Sequence, residues 1–329
     1  MAMSRTRRET LAGMIGGWAA WTVMSPLSLA AAQIPTQNRP PKDLPVRAGY
    51  IAVPGGRVWW QKYGDGPKTP LLLLHGGPGA AHNYLLPLRA LADERPVILY
   101  DQLGCGLSDA PPQDAFYHIP RFVQEVDAVR KALGLDRVIL YGHSWGSMLA
   151  IEYLVTGHGA GVEKLILAGA MASIPQMVAG MRRLIGELPD GAGDRLAALE
   201  AAGQTDSPEY GKIVQLFYDL HLMRARPTPD FEDSMASLGT SPAYAVMNGP
   251  NEFTTTGNIK DWERRKDLGA IKLPTLITTG QYDEVTLDCH ETIHKGIKGS
   301  KLVVLPGCSH MAMVEKPALY NDTVRKFIA

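Results

Sequence analysis

Short, uninterrupted apolar runs recur along the chain at Leu71–Leu74, Val97–Tyr100, Val138–Tyr141, Leu165–Ala168, Leu276–Thr279 and Leu302–Leu305. Runs this short, without polar alternation, fit strands buried on both faces, as a parallel sheet covered by helices requires. Stretches of helical periodicity lie between them, for example Pro120–Leu133 and Met148–Thr156. Upstream, Ala48–Val53 and Val58–Tyr63 flank Pro54-Gly55-Gly56, so an apolar run breaks at turn residues and resumes, which predicts a hairpin. The pattern as a whole predicts an α/β fold with a mostly parallel sheet. One stretch departs from it. Residues 173–246 hold no convincing strand, and Gln176–Leu188, Asp194–Ala202 and Tyr210–Arg224 read as amphipathic helices separated by Pro and Gly. They predict a helical cap inserted between strands 6 and 7, which leaves 47–172 and 247–329 as the core.

The N-terminus has a different character. Arg7-Arg8 precede an uncharged stretch from Leu11 to Ala32 that closes on Ala30-Ala31-Ala32, the layout of a charged n-region, an h-region and a small-residue cleavage site. The paired arginines predict a twin-arginine export signal over residues 1–32, and hence a periplasmic protein. The alternative is an uncleaved membrane anchor, against which Gly13, Gly16, Gly17, Ser25 and Pro26 dilute the hydrophobicity. Residues 33–46, with four prolines, read as an extended leader.

Charge narrows the partners. The 33 Lys and Arg balance 33 Asp and Glu, and no long basic run appears, which argues against nucleic acid or an anionic membrane surface. Removing residues 1–32 takes away three Arg and one Glu, leaving 30 basic against 32 acidic residues. Three cysteines, Cys105, Cys289 and Cys308, are too few for a disulfide scaffold. In an oxidising compartment Cys289 and Cys308, on segments flanking the loops discussed next, are the candidate pair, with Cys105 left as a free thiol.

The chemistry begins at Gly142-His143-Ser144-Trp145-Gly146, between a predicted strand and a predicted helix. A G-x-S-x-G in strand–turn–helix context is the signature of a nucleophile elbow. A serine needs a base and an orienting acid, which in this architecture follow in the order Ser, acid, His. Asp283 lies just past the run Leu276–Thr279 and His310 just past Leu302–Leu305, where loops leave the carboxyl ends of strands. Asp288 is the weaker acid candidate. His75-Gly76-Gly77-Pro78-Gly79, after the strand Leu71–Leu74, stands where one oxyanion N–H arises, so the N–H groups of Gly77 and Trp145 are assigned to the oxyanion hole. No cofactor or metal is expected.

Together with Asp101-Gln102-Leu103-Gly104-Cys105-Gly106-Leu107-Ser108, Met247-Asn248-Gly249-Pro250-Asn251-Glu252-Phe253 and Gly280-Gln281-Tyr282-Asp283-Glu284, these motifs resemble the proline iminopeptidase family of α/β-hydrolases, in particular its tricorn-associated aminopeptidase branch. The resemblance covers most of residues 47–329, is weakest in the cap, and implies the α/β-hydrolase fold. It further implies removal of an N-terminal residue, with Ser144, Asp283 and His310 as triad and Glu252 and Glu284 holding the substrate ammonium. His143 departs from it, since many members carry a small residue there. The implied partner is a small peptide or amino-acid amide with a free N-terminal amine.

Three rival readings stand beside this one. An amidase or esterase could run on the same triad. His290-Glu291-Thr292-Ile293-His294 matches H-E-x-x-H, and on a helix its two histidines would share a face, with Glu315 as a distant third zinc ligand. A non-catalytic binding module is the third, but such a protein typically lacks a member of the triad, and all three are present here.

Overall fold

The computed structural model describes residues 46–329. The proposed export signal and nearly all of the leader therefore lie outside the described residues. Val46, assigned to the leader by its prolines, instead opens the first strand.

Eight strands form one sheet: β1 (Val46–Val53), β2 (Gly56–Tyr63), β3 (Leu71–Leu74), β4 (Val97–Tyr100), β5 (Val138–His143), β6 (Val162–Ala168), β7 (Thr275–Gly280) and β8 (Lys301–Leu305). Their order is β1-β2-β4-β3-β5-β6-β7-β8. The expected hairpin closes with Val53 opposite Gly56. β2 pairs antiparallel with β4, and every later neighbour is parallel. The apolar runs are central because their residues have somewhere apolar to go on both sides. Leu72, Leu74, Ile98 and Leu140 enter one core cluster, while Leu71, Leu73, Leu99 and Ile139 enter the other.

Helices α1 (Ile119–Ala132) and α2 (Trp145–Val155) cover the first face, and a 3₁₀ stretch, His82–Asp93, packs on the second. Between β6 and β7 the chain builds the cap from α3 (Ile174–Gly186), α4 (Ala192–Ala201), α5 (Pro208–His221), α6 (Pro229–Thr240) and α7 (Pro242–Met247). Helix α8 (Leu287–Gly296) links β7 to β8, and α9 (Ala312–Glu315) and α10 (Pro317–Ile328) finish the chain.

Helices α3 and α5 start two residues before their apolar periodicity suggests, because capping chemistry rather than hydrophobicity sets the first turn, and α6 opens in the same way. The side chains of Ser173, Ser207 and Thr228 accept from the N–H groups of Gln176, Tyr210 and Phe231, each with a proline in the opening turn. Helices α6 and α7 did not show in the periodicity. Among the described residues no helix is long and apolar enough to cross a membrane.

Candidate active site

Ser144 stands between β5 and α2 with φ 54° and ψ −122°, a conformation that L-residues avoid. Two glycines force it there. A Cβ at Gly142 would sit 2.2 Å from the Gly146 carbonyl oxygen, and one at Gly146 would sit 2.1 Å from that of Leu74. Strand and helix cross too closely for any side chain, and the serine at the crossing is pushed out toward the carboxyl edge of the sheet. The Ser144 N–H donates to Ala168 O at 2.9 Å, fixing the turn to β6.

Asp283 and His310 meet at this edge. His310 Nδ1 and Asp283 Oδ1 are 2.7 Å apart, and Asp283 also accepts from the Val285 N–H at 2.9 Å and the Thr279 hydroxyl at 3.1 Å. The two loops run close enough that a Cβ at Gly280 would lie 2.2 Å from Ser309 O, and Tyr282 N–H donates to Cys308 O at 2.9 Å. Burial opposes charge on Asp283, but the His310 ring beside it and the bonds it accepts hold its carboxyl below the usual range. For His310 burial favours the neutral ring, yet Asp283 and Glu284 outweigh it and raise the imidazole to about 9. Cap residues complete this corner: the carbonyl of His221, at the end of α5, accepts the N–H groups of Glu284 at 3.2 Å and His310 at 3.1 Å.

The glycine loop lies opposite. Gly77 has φ 116°, and a Cβ there would come within 2.3 Å of Gly79 N, so only glycine fits beside Ser144. His75 holds the loop: its Nε2 accepts from Gln102 N–H at 2.9 Å and its Nδ1 faces Gly76 O at 2.9 Å, which makes Nδ1 the protonated nitrogen. Burial lowers this imidazole to about 4, so it stays neutral. Gln102 in turn accepts from Trp145 Nε1 at 2.8 Å, tying the Asp101–Ser108 loop to the head of α2.

His143 belongs to a second network. Its Nε2 lies 3.1 Å from His310 O and must therefore donate, which leaves Nδ1 to accept from the Tyr84 hydroxyl at 2.9 Å. Tyr84 accepts from Gly76 N–H at 2.6 Å. Burial pushes His143 down to about 3 and keeps it neutral, so the chain of bonds has a fixed direction from the glycine loop to the backbone of His310. The motif marks His143 only as a flanking residue, and nothing in the sequence links it to Tyr84.

Two cavities open on Ser144. The first, about 320 Å³ including space open to solvent, is lined by Gly77, Trp145, Glu252 and Glu284, with Met148, Met171, Met177 and Met181 on its apolar wall. The second, about 300 Å³, contains Gly77, Glu252 and His310. Glu252 and Glu284, brought from opposite ends of the segment 248–284, thus converge as the family resemblance implies. Glu252 Oε2 and Glu284 Oε2 are buried with no hydrogen-bond partner among the described residues. Desolvation raises both carboxyls, and for Glu284 the neighbouring Glu252 raises it further. Glu252 has one neutral donor, the Tyr218 hydroxyl of α5, which the sequence did not single out.

The remaining candidates fall elsewhere. HETIH does lie on a helix, α8, but His290 is committed: Nε2 accepts from Ala170 N–H at 2.8 Å and Nδ1 lies 3.2 Å from Thr286 O. His294 Nδ1 is 2.8 Å from the Ser300 hydroxyl, and Glu315 accepts from Ser309 and from Arg224 N–H, so no ligand set converges. Asp288 pairs with Arg183 at 2.9 Å on the surface, away from His310. Cys289 and Cys308 do not pair: all three thiols are free and buried, and Cys289 packs at the start of α8 against Thr286.

Comparison with known proteins agrees with this geometry. Residues 69–317 match the family model described as the alpha/beta hydrolase fold. A protein named proline iminopeptidase from Saccharolobus solfataricus is 41% identical over 86% of this chain and 92% of its own length. A second of that name, from Thermoplasma volcanium, is 40% identical over 85% of this chain and 96% of its own. The crystal structure of proline iminopeptidase from Mycobacterium smegmatis superposes with a TM-score of 0.80 at 35% identity, covering 86% of this chain and 97% of that one. On identity and coverage of this extent, together with the matching family model, the chain belongs to the proline iminopeptidase family of α/β hydrolases.

Proposed function

We propose that the chain is an exported serine aminopeptidase that removes one N-terminal residue from a small peptide or amino-acid amide, with Ser144, Asp283 and His310 as triad. The observation that carries this reading is the pair of buried, unpartnered oxygens on Glu252 and Glu284 in the cavity that contains Ser144. Two carboxylates placed so form a seat for a cation, and charge-assisted hydrogen bonds to an ammonium are worth roughly 1.5 to 3 kcal/mol each. Because burial holds both carboxyls up, arrival of the ammonium draws them toward the ionised form. The distance from this seat to the serine then measures one residue.

His310 takes the Ser144 proton as Oγ bonds to the scissile carbonyl carbon, and Asp283 holds the ring and stabilises the imidazolium. The oxyanion accepts from the N–H groups of Gly77 and Trp145. As the tetrahedral intermediate collapses, the carbon–nitrogen bond breaks and His310 passes its proton to the departing nitrogen. Water activated by His310 then cleaves the acyl-serine ester, freeing the amino acid and restoring Ser144. The methionines of the acyl-side wall, unbranched and adaptable, suit a proline ring or a longer apolar first residue.

Acylating the substrate amine removes the charge and leaves two buried carboxyls without a partner. The expected loss in kcat/KM is ~10²- to 10³-fold relative to the free amine, and Glu252→Gln or Glu284→Gln should weaken free-amine substrates while sparing an aryl ester that has no amine. Equal hydrolysis of free and N-acylated aminoacyl arylamides by the wild type would defeat the aminopeptidase reading in favour of a general amidase or esterase.

A further inference from the structure

The two cavities divide the substrate. Both glutamates line the first, whereas His310 lines only the second. Because His310 must hand its proton to the departing nitrogen, the leaving group lies on the second side. That wall is made by Leu222 at the end of α5, Met235 and Leu238 on α6, Met311 next to His310, and Ala80 after the glycine loop. Its ionisable side chains are those of Tyr84, His143, Glu252 and His310, and among the described residues no Lys or Arg lines it. His143 is held neutral and is committed at both nitrogens. Glu284 Oε1 stands 3.7 Å from His310 Nε2, so a further carboxylate faces the point where the nitrogen departs.

This arrangement discriminates on charge. When the leaving group is a single free amino acid, its α-carboxylate is only two bonds from the nitrogen and must enter this wall. There it meets no Lys or Arg, loses its hydration, and faces the Glu252 carboxyl on the same wall and Glu284 beside His310. An amine with no carboxylate next to it instead buries apolar surface against Leu222, Met235, Leu238 and Met311. We propose that the leaving group is an apolar amine bearing no adjacent carboxylate, such as a longer peptide, a carboxyl-capped residue or another hydrophobic amide, and that free dipeptides are poor substrates. The proposal rests on the aminopeptidase reading.

The test uses the wild-type enzyme and whichever of prolyl, alanyl and leucyl arylamides it cleaves fastest to fix the first residue X. Values of kcat/KM are then compared for X-Leu as the free acid, X-Leu amide and X-Gly amide. The expected result is that the free acid falls at least ~10-fold below its amide and that the Leu amide exceeds the Gly amide. A free acid cleaved as well as its amide, or a Gly amide cleaved as well as the Leu amide, overturns the proposal while the arylamide activity leaves the aminopeptidase reading standing. Failure to cleave any free-amine arylamide in preference to its N-acylated form removes the underlying reading instead. Leu238→Lys supplies the missing cation from a half-buried position on α6, and the ratio of free acid to amide should rise at least ~5-fold; a folded variant with an unchanged ratio counts against the assignment of this wall.

Discussion

His310 is one imidazole among three carboxylates, and its charge state decides the pH at which Ser144 can be activated. Burial pulls the ring toward neutrality, while Asp283 and Glu284 favour the imidazolium and prevail, raising it to about 9. A base must be neutral to accept a proton, so kcat/KM should climb with pH up to the alkaline range. Glu284→Gln deletes one carboxylate 3.7 Å from Nε2, weakens the imidazolium and lowers the pKa, so the acidic limb of the profile should move to lower pH. An aryl ester without an amine is the substrate for this measurement, since ammonium binding then plays no part. A limb that stays in place or moves upward would show that the Glu284 charge does not reach the ring. At this scale the sequence showed whatever a local pattern encodes: Ser144 in its elbow, and Asp283 and His310 each in the loop after an apolar run. Tyr84, His143 and Tyr218 were hidden because their roles arise from partners far along the chain, with 59 residues separating Tyr84 from His143 and 167 separating His143 from His310.

The β5–α2 elbow combines strain and close approach in five residues. Ser144 occupies a backbone region where glycine is at ease, so replacing it should reveal the strain. Ser144→Gly should unfold at higher urea than Ser144→Ala by about 1 kcal/mol, both being inactive. Gly146→Ala should cost about 3 kcal/mol or more, because its methyl lands 2.1 Å from a main-chain oxygen that cannot retreat without moving β3. Urea denaturation of the three variants checks the order, and an alanine at 146 tolerated without loss would mean that strand and helix can separate. The apolar runs LLLL at 71–74 and VILY at 97–100 are buried on both faces and coincide with β3 and β4, whereas β6 begins three residues before its apolar run, at Val162, where the half-buried Glu163 and Lys164 interrupt the pattern. The cap helices were read less well. Their periodicity fades at the ends of α3 and α5, where Ser173 and Ser207 accept from main-chain N–H groups, and in α6 a polar residue, Ser234, takes a buried position that the apolar pattern would fill.

On the scale of the whole molecule the proposed export signal can be tested directly. Cleavage after Ala32 should give periplasmic material whose mass begins at Gln33, and replacing Arg7-Arg8 by lysines should hold the protein in the cytoplasm. A periplasmic chain that still starts at Met1 would refute the cleavage. Within the folded body, the carbonyls of His221 and Leu222 take the N–H groups of Glu284, His310 and Met311. The end of α5 is therefore part of the catalytic scaffold, although by position in the chain it belongs to the insertion. For anyone exchanging insertions between relatives to alter selectivity, that sets the cutting points. Helices α3 and α4 and the first turns of α5 can be traded, but the peptide at 221–222 must arrive with its direction preserved, or the acid and the base lose a shared support. At 221 the support is double: besides its carbonyl, the His221 ring donates from Nδ1 to the Tyr282 carbonyl at 3.0 Å, next to Asp283, so an exchanged insertion has to bring a donor side chain there as well as the peptide.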